Sequence, residues 1–402
     1  MQHIFFVSKF NTAVKLISEY QGEQPFANYL KKYFSVEKKH GSKDRKIISH
    51  FCFSYYRTGI ALDNINLNEK LLVAIFLQSN KNSEWNNIFP QHWMQYVNET
   101  FQKKEQFLLA EKIKFSGHKI FPFPNHLSKS IDSKVFSLSH LSQPDLFLRV
   151  RPGFKEAVLE KLQKHNIKFL VEDENCIRFS NAAKIDAFLS INKEVVVQDI
   201  SSQKIAAFIK MANENAAIKT VWDCCAASGG KAILAADYLK NIELVVSDVR
   251  QTILYNLKKR FSEAGIKKFK SYIIDLTKPI NKNIFYSNNL FDIVICDVPC
   301  SGSGTWGRTP EQLYFFKEKR INEYVQLQQK IISNAFSFVK QNGFFLYVTC
   351  SVFEEENEMQ VNFIKQKFEV EVERMEIIKG YENFADTMFA ALFKKRISTA
   401  AQ

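Results

Sequence analysis

The sequence predicts an α/β protein whose C-terminal half is a doubly wound, mostly parallel sheet, preceded by a small α+β module and a helical N-terminal region. From residue 193 onward, short apolar segments follow one another, and amphipathic segments separate the earlier ones, as in a sheet covered by helices on both faces. Several of these segments end on an acid or a thiol, and ligands of such sheets bind at the carboxyl ends of strands. The length of 402 residues exceeds one core of ordinary size, so we expect more than one domain.

Residues 1–125 are predicted to form a helical domain. Apolar residues recur at helical spacing in "NTAVKLISEY", "FANYLKKYF" and "RKIISHFCFSYYRTG". The basic run "KKHGSKDRK" lies among them, and either a solvated helix end or an edge that contacts phosphates would account for it. The two prolines of "FPFPNHL", residues 121–127, predict a linker to the next domain.

Residues 126–192 are predicted to form the small α+β module, and residues 193–402 the sheet domain. In the module, "PDLFLRVRP" and "CIRFS" have the pattern of strands, and "KEAVLEKLQKHNI" has that of an amphipathic helix. The strands predicted in the sheet domain are "TVWDCC", "IELVVSD", "KSYIID", "FDIVICD", "GFFLYVTC", "FEVEVERM" and "TMFAALFKK".

The net charge is +13, from 55 Lys and Arg against 42 Asp and Glu. Such an excess attracts polyanions such as nucleic acid, although a lysine-rich solvated surface would give the same balance. Seven cysteines without regular spacing and without a Cys-x-x-Cys pair predict neither a disulfide framework nor a zinc site. No segment approaches the roughly 18 apolar residues of a membrane span, and "MQHIFFVSKF" lacks the apolar core of a signal peptide. We therefore expect a cytoplasmic protein that binds neither a metal nor a membrane.

The stretch "VWDCCAASGGKA" is predicted to be a strand, a turn of small residues and a helix start. Its small residues let the backbone approach a ligand, and the helix offers its amide end. The turn consists of Cys225, Ala226, Ala227, Ser228, Gly229, Gly230 and Lys231. It is neither a Walker loop, because no Ser or Thr follows Lys231, nor a dinucleotide fingerprint, because the first glycine is absent. A tight turn without a ligand is the alternative.

Three successive strands of the predicted sheet end on acids, namely Asp248, Asp275 and Asp297. Neighbouring acids repel one another, so they serve poorly as purely structural residues. They are well suited to accept hydrogen bonds from ribose hydroxyls and from an exocyclic amine. S-adenosylmethionine fits this pattern especially well, because its positive charge suits an acidic pocket.

Two further strands lead into thiols, Cys300 in "FDIVICDVPCSGSGTWG" and Cys350 in "FFLYVTCSVFEEENE". A lone cysteine at such a place is commonly a small apolar filler. Two of them beside a cofactor pocket favour chemistry, since a thiolate can add to carbon 6 of a pyrimidine and make carbon 5 nucleophilic enough to take a methyl group. The reaction also needs an acid near nitrogen 3 of the base, and a second thiol could assist release of the product.

These segments resemble the RNA (cytosine-5)-methyltransferases of the RsmB/Nop2/NSUN (Sun) family. "CCAASGGK" is similar to the family's cofactor loop CAAPGGK, "DVPCSGSG" to its motif DxPCSGxG, and "TCSVFEEENE" to its motif TCSxxxxENE. The resemblance covers about residues 120–402 and implies a class I, Rossmann-like, S-adenosylmethionine-dependent methyltransferase domain. Before it, "GSKDRKIISHFCFSYYR" is weakly similar to the NusB-like helical extension of the bacterial members, which binds RNA.

The resemblance implies a role for each predicted catalytic residue. Cys350 would be the nucleophile, Cys300 would help to release the product, and Asp297 would face both the target cytosine and the cofactor. The implied partner is a structured RNA, with ribosomal RNA as the leading substrate, and the expected state is a monomer.

The resemblance also implies how S-adenosylmethionine is held. The backbone of residues 225–231 would bind its amino acid part, Asp248 its ribose hydroxyls and Asp275 its adenine amine. The sequence departs from the family at positions expected to affect cofactor affinity more than chemistry: Ser228, Ala232, Ile253 and Thr387.

Three alternatives differ from this interpretation. The same chemistry on transfer RNA is hardly separable by sequence. A non-catalytic RNA-binding assembly factor is disfavoured, because loss of activity should erase at least one of Cys350, Cys300 and Asp297. A DNA methylase would use the cysteine after the proline as nucleophile and would lack the thiol of the TCS motif.

Two segments beside the thiols allow more than one interpretation. Residues 354–356 are all Glu, which suits the first turn of a helix; their charge would raise the pKa of a nearby thiol, whereas the helix end would lower it. Trp306 and Arg308 either contact RNA or belong to an ordinary loop.

Overall fold

A computed structural model describes residues 2–62, 64–181, 183–285 and 290–397. The chain forms two compact units. Unit 1 comprises Met1–Leu127, Ile131–Gln143 and Thr305–Glu318, and unit 2 comprises Ser128–Ser130, Pro144–Gly304 and Lys319–Gln402. The helices are α1 (Gln2–Glu19), α2 (Phe26–Val36), α3 (Ser42–Arg57), α4 (Leu67–Gln78), α5 (Phe101–Ala110), α6 (Ser133–Ser139), α7 (Lys155–Lys164), α8 (Ile200–Lys204), α9 (Ala206–Asn215), α10 (Gly230–Tyr238), α11 (Gln251–Glu263), α12 (Glu311–Phe315), α13 (Lys319–Phe336) and α14 (Glu358–Lys367).

Unit 1 is helical, as predicted for the N-terminal region. The side chains of Asn66 and Thr100 cap α4 and α5 by accepting hydrogen bonds from backbone amides of the first turn. Buried Arg57 at the end of α3 donates to the carbonyls of His140, Ser142 and Gly307, at 3.1, 3.2 and 2.8 Å. One guanidinium thus ties together three chain segments of this unit.

The segment "FPFPNHL" is not the linker that its prolines predict. Phe121 is 2% exposed and packs against the rings of Phe136, His140 and Trp306. Phe121, directly before the first proline, therefore belongs to the core of unit 1. The division into domains at residues 125 and 192 stays a prediction.

Unit 2 contains two sheets. The smaller one consists of β1 (Leu146–Val150), β2 (Leu170–Asp173), β3 (Cys176–Phe179) and β4 (Val195–Val197) in the order β2-β3-β1-β4, and its pairs are antiparallel. The larger one consists of β5 (Thr220–Asp223), β6 (Glu243–Asp248), β7 (Phe269–Ile273), β8 (Phe291–Asp297), β9 (Val339–Thr349), β10 (Val370–Ile378) and β11 (Met388–Lys395). The predicted α/β fold, with its small α+β module and all seven strands of the large sheet, is confirmed.

The large sheet has the order β10-β11-β9-β8-β5-β6-β7. Strands β5 to β9 are parallel, so their carboxyl ends meet at one edge, which we call the carboxyl edge. Strand β11 runs antiparallel to its neighbours, and its pairing of Phe389 with Thr349 puts its start at the same edge. The strand order reverses between β5 and β8, the place where such sheets open a crevice for ligands.

Two apolar layers cover the sheet, one on each face. Along β8, Ile293 and Ile295 belong to one layer, whereas Val294 and Cys296 belong to the other. Because side chains alternate between the faces of a strand, a strand buried on both faces reads as an uninterrupted apolar run. This rigid sheet holds the residues that follow its strands in fixed positions.

Candidate active site

A cavity of about 420 Å³ opens at the carboxyl edge of the large sheet. The predicted site residues that line it are Cys225, Ala227, Asp248, Asp275, Asp297, Cys300 and Cys350. The other predicted residues, Ala226, Ser228, Gly229, Gly230 and Lys231, lie in the same turn and at the start of α10. Residues spread over more than 120 positions of the chain therefore converge, because parallel strands end side by side.

The turn after β5 is pinned to the end of β6. The amide of Ala226 donates to the Ser247 carbonyl at 2.9 Å, and the amide of Ala227 donates to Oδ2 of Asp248 at 3.1 Å. Gly229 has a φ of +82°, and a Cβ there would lie 2.6 Å from Cε1 of Phe261. This position therefore needs glycine on both conformational and steric grounds.

Asp248 is held by a partner that the sequence analysis missed. Arg250 donates through Nε to Oδ1 at 2.9 Å and through Nη2 to Oδ2 at 3.1 Å. Burial raises the pKa of Asp248, but these hydrogen bonds outweigh it, so the pKa lies below its usual value. An ionised carboxylate is therefore available at the carboxyl edge at neutral pH.

Most of the other residues that line the cavity are apolar, among them Val249, Ile274, Leu276, Pro299, Leu327 and Ile331. Arg250 and Thr277 line it as well. Apolar side chains beside the carboxylates of Asp248, Asp275 and Asp297 suit a ligand with an aromatic base, a sugar and a positive charge. The residues present thus fit S-adenosylmethionine.

Asp223, the last residue of β5, is an unusual buried acid. It is 0% exposed, and neither carboxylate oxygen makes a hydrogen bond of normal geometry with the described residues. Burial, and next the charge of Asp297, raise the pKa of Asp223 to about 8. No sequence signal predicts the burial or the raised pKa of Asp223, since "VWDCC" only marks the residue as a strand end.

The two predicted thiols lie side by side. Cys350 directly follows β9, Cys300 follows β8 by three residues, and their Sγ atoms are 3.3 Å apart. The hydrogen bond with the sulfur of Cys350, together with burial, raises the pKa of Cys300 well above its ordinary value. Cys300 therefore keeps its proton, and either sulfur can be the donor in the contact between them.

Asp297 forms an ion pair beside the thiols. Its Oδ2 atom is 3.0 Å from Nζ of Lys231, and the same Nζ lies 3.0 Å from Oγ of Ser202. Lys231 is 7% exposed, so this ammonium group is largely shielded from water. From the sequence, only the backbone of Lys231 was predicted to bind the cofactor. Its side chain instead pairs with Asp297 at the end of β8.

Glu356 joins the loops that carry the two thiols. Its Oε1 atom accepts from the amide of Ser301 at 2.9 Å and from Nε2 of Gln328 at 2.8 Å. Its Oε2 atom accepts from Oγ of Ser301 and from Oγ of Ser351, both at 2.5 Å. Each serine directly follows one of the thiols, so one fully buried carboxylate fixes Cys300 relative to Cys350.

Gly304 brings a third loop to this place. Its amide donates to the carbonyl of Cys350 at 2.9 Å, and its carbonyl accepts from the amide of Thr387 at 2.9 Å. A Cβ at Gly304 would collide with the carbonyl oxygen of Thr387, so only glycine allows this approach. The start of β11 is thereby joined to the loop of Cys350.

The structure resolves two interpretations that the sequence allowed. Residues 354–356 form a short 3₁₀ helix before α14 rather than the first turn of the α-helix, and Glu356 points into the protein. Trp306 is 1% exposed and packs against Phe121, Phe123 and Phe316 within unit 1. Its ring is a core side chain and does not offer a face to RNA.

Among the residues in the described ranges, no group of three or more His, Cys, Asp or Glu side chains is placed to hold a metal ion. Within the same ranges, the helices are too short or too polar to cross a lipid bilayer.

Comparisons with known proteins show which proteins the chain is similar to. Residues 206–392 match the sequence model of the family described as 16S rRNA methyltransferase RsmB/F. The chain is 26% identical over 332 residues to ribosomal RNA small subunit methyltransferase B of Pasteurella multocida (strain Pm70), covering 77% of this chain and 73% of that protein. It is 27% identical over 274 residues to the protein of the same name in Enterobacter sp. (strain 638), covering 65% of this chain and 61% of that protein.

Solved structures share the fold. PH0851 superposes with a TM-score of 0.69 at 19% identity, covering 96% of this chain and 98% of that one. NSun6 from Pyrococcus horikoshii, solved with the S-adenosylmethionine analogue SFG, superposes with a TM-score of 0.56 at 14% identity, covering 69% of this chain and 97% of that one. Together with the cavity, these findings lead to one conclusion: the chain is an S-adenosylmethionine-dependent RNA methyltransferase that is similar, over residues 206–392, to the 16S rRNA methyltransferases RsmB/F.

Proposed function

We propose that this protein transfers a methyl group from S-adenosylmethionine to carbon 5 of a cytosine in ribosomal RNA, through a covalent bond between Cys350 and carbon 6. The observation that carries the proposal is the pair of thiols, 3.3 Å apart, on the wall of a cavity that also holds the carboxylate of Asp297. The names of the relatives support ribosomal RNA as the substrate. A cytoplasmic location is part of the same proposal.

The first step is addition of the Cys350 thiolate to the ring. The thiol of Cys300, which keeps its proton, donates to the sulfur of Cys350 and stabilises its anionic form. As the sulfur–carbon bond forms at carbon 6, an electron pair moves towards nitrogen 3 of the base. The ion pair of Lys231 and Asp297 supplies the proton that nitrogen 3 then takes up.

The next residues hold the methyl donor beside carbon 5. When bound, S-adenosylmethionine supplies an electrophilic methyl group on a positively charged sulfur. The turn of residues 225–231 binds its amino acid part, Asp248 accepts from the ribose hydroxyls, and Asp275 accepts from the adenine amine. The apolar wall of the cavity covers the adenine ring.

Release of the product depends on a change in Cys300. The interaction with Cys350 is the largest cause that holds the proton on Cys300. Once the sulfur of Cys350 is bonded to carbon 6, the negative charge of its thiolate is gone, so the pKa of Cys300 falls and its thiol can give its proton to water. The Cys300 thiolate then takes the proton from carbon 5, the double bond between carbons 5 and 6 forms again, and Cys350 leaves as a thiolate. Nitrogen 3 returns its proton to the pair of Lys231 and Asp297.

Separate substitution of the two thiols tests this assignment. Cys350→Ala should form no covalent bond to RNA and should lose methylation. Cys300→Ala should attack and transfer the methyl group but fail to release, so it should run as an RNA-linked band on a denaturing gel with unmodified cytosine substrate. Cys52→Ala, at a buried cysteine of α3 that does not line the cavity, is the matched control and should behave like the wild type.

Two results would count against the proposal. A covalent band from Cys350→Ala and none from Cys300→Ala would exchange the roles of the thiols and indicate the DNA-type arrangement. Bisulfite sequencing of total RNA from a deletion strain and from the wild type identifies the substrate. Loss of a modified cytosine in transfer RNA, with ribosomal RNA unchanged, would replace ribosomal RNA as the target.

A further inference from the structure

Phe384 is an exposed aromatic side chain in an unusual backbone conformation. It lies in the loop between β10 and β11, is 50% exposed, and has φ 53° and ψ 37°. Bulky residues rarely adopt this left-handed region, and such outliers concentrate at functional sites. The proposed reaction does not use Phe384.

Arg178 of β3 covers one face of the Phe384 ring. Its guanidinium carbon lies 5.1 Å from the ring centroid, a cation–π arrangement. The guanidinium is itself fixed, because Nε donates to Asp145 at 2.6 Å and Nη1 donates to Glu172 at 3.1 Å. The backbone amide of Asp145 also donates to the carbonyl of Phe384 at 2.8 Å.

The residues after Phe384 anchor its loop. Ala385 is buried in a small apolar cluster with Phe147, Cys176 and Ile200. The amide of Asp386 donates to Oδ2 of Asp199 at 3.0 Å. The ring is therefore presented on a fixed support rather than on a mobile loop.

The loop of Phe384 reaches the proposed active site through the backbone. Thr387 donates to Gly304, which in turn donates to the carbonyl of Cys350. Phe384 precedes Thr387 by three residues, so their Cα atoms are at most about 11 Å apart. The ring is thus placed near the carboxyl edge, where the RNA must present its target base.

We propose that the Arg178–Phe384 pair binds an unpaired nucleobase of the RNA, next to the target base, by stacking on the Phe384 ring. The inference rests on the proposed function and adds a contact to the substrate. Proteins that bind single-stranded RNA stack bases on aromatic side chains, and this contact tolerates sequence because every base has a π face. The net charge of +13 favours a polyanion over an apolar protein partner for this ring.

Substitutions of Phe384 separate stacking from backbone strain. Phe384→Asn removes the ring and relieves the strain, since Asn tolerates the left-handed region. We expect its melting temperature to equal or exceed that of the wild type, while its affinity for a labelled single-stranded RNA of mixed sequence falls at least about fivefold. Phe384→Trp should keep the affinity and show quenching of tryptophan fluorescence when this RNA is added. Tyr255→Asn, at a tyrosine of α11 that is 74% exposed, is the control and should leave the affinity unchanged.

The same variants also distinguish RNA binding by the Arg178–Phe384 pair from the methyl-transfer reaction. With small-subunit ribosomal RNA from a deletion strain, Phe384→Asn should raise the KM for RNA and leave the KM for S-adenosylmethionine unchanged. The proposal would be overturned if the wild type and Phe384→Asn bound single-stranded RNA with equal affinity. It would also be overturned if the substitution lowered the affinity for the same RNA annealed to its complement by the same factor. The affinity for labelled RNA is measured by fluorescence anisotropy and needs no methyl transfer. A wild type that methylates nothing would therefore contradict the proposed function, whereas the affinities alone decide whether Phe384 stacks on a base.

Discussion

Asp223 is a residue whose charge state should set how stability depends on pH. Its pKa in the folded protein is about 8, against an ordinary value of 3.8. The folded state therefore binds the proton more tightly than the unfolded state, and the stability it contributes is fully present below pH 3.8 and is lost as the pH rises to about 8. The loss amounts to at most roughly 1.4 kcal/mol per pH unit within this window.

Asp223→Asn should remove this dependence, because an amide of the same shape has no proton to lose. In urea unfolding without cofactor at pH 6, 7 and 8, the variant should gain stability relative to the wild type as the pH rises. Asp292→Asn is the control at the opposite end of the sheet. The carboxylate of Asp292 accepts from Thr220 and Lys340 and its pKa is lowered, so this variant should be destabilised throughout. Equal pH slopes for Asp223→Asn and the wild type would contradict the assignment.

At this same scale, the sequence predicted the residues that end strands and missed those that support them. Asp248, Cys300 and Cys350 could be found because each follows an apolar run and therefore falls at the carboxyl edge. Arg250 and Glu356 could not be assigned, because their roles depend on which side chains meet in space. "FEEENE" gives three glutamates in a row, and only the packing of Ser301 and Ser351 selects Glu356.

At the scale of elements, the loops after β8 and β9 act together because Glu356 bonds to both. Glu356→Gln keeps the shape but turns an acceptor into a donor, so at least one of its four hydrogen bonds must be rearranged. A loosened pair of loops should lower kcat by roughly 10- to 100-fold, since small displacements of reacting groups cost that much. Binding of S-adenosylhomocysteine, measured by calorimetry, should change little.

The control for this prediction is Glu354→Gln, two residues away in the same 3₁₀ helix. Glu354 pairs with Lys129 at 3.5 Å and makes none of the bonds of Glu356 to the two serines. It should retain the wild-type kcat. A Glu356→Gln variant that is as active as Glu354→Gln would show that the two loops hold their positions without the shared carboxylate.

The elements themselves were largely predictable. Strands β5, β6, β8, β9 and β11 contain apolar runs, whereas apolar and polar residues are mixed along β7 and β10. Both patterns differ from the helical period of the amphipathic segments. No single segment predicts the order of these strands in the sheet. Nor does any segment predict the hydrogen bond from the amide of Thr387 to the carbonyl of Gly304, which brings β11 to the thiols. The prolines of "FPFPNHL" predicted a linker and gave no sign that Phe121 is buried, because burial depends on partners more than a hundred residues away, such as Trp306.

At the scale of the whole molecule, the net charge of +13 predicts how RNA binding depends on salt. If docking relies on contacts with phosphates, counterions are released and the affinity should fall steeply between low and physiological salt. Anisotropy titrations of labelled ribosomal RNA at several salt concentrations measure the slope. Binding of S-adenosylhomocysteine at the same concentrations is the control and should change far less. A nearly constant RNA affinity would mean that the positive charge is a solvated surface.

The path of the chain through the two units has a consequence for its synthesis. Residues Thr305–Glu318 belong to unit 1, although the rest of that unit ends at Gln143. Trp306 and Phe316 of this segment pack against Phe121 and Phe123, and Gly307 accepts from Arg57. A growing chain therefore cannot complete the core of unit 1 when its N-terminal helices leave the ribosome. Phe121 and Phe123 lack these packing partners until strands β1 to β8 and residues 305–318 have been translated, so unit 1 completes its core late.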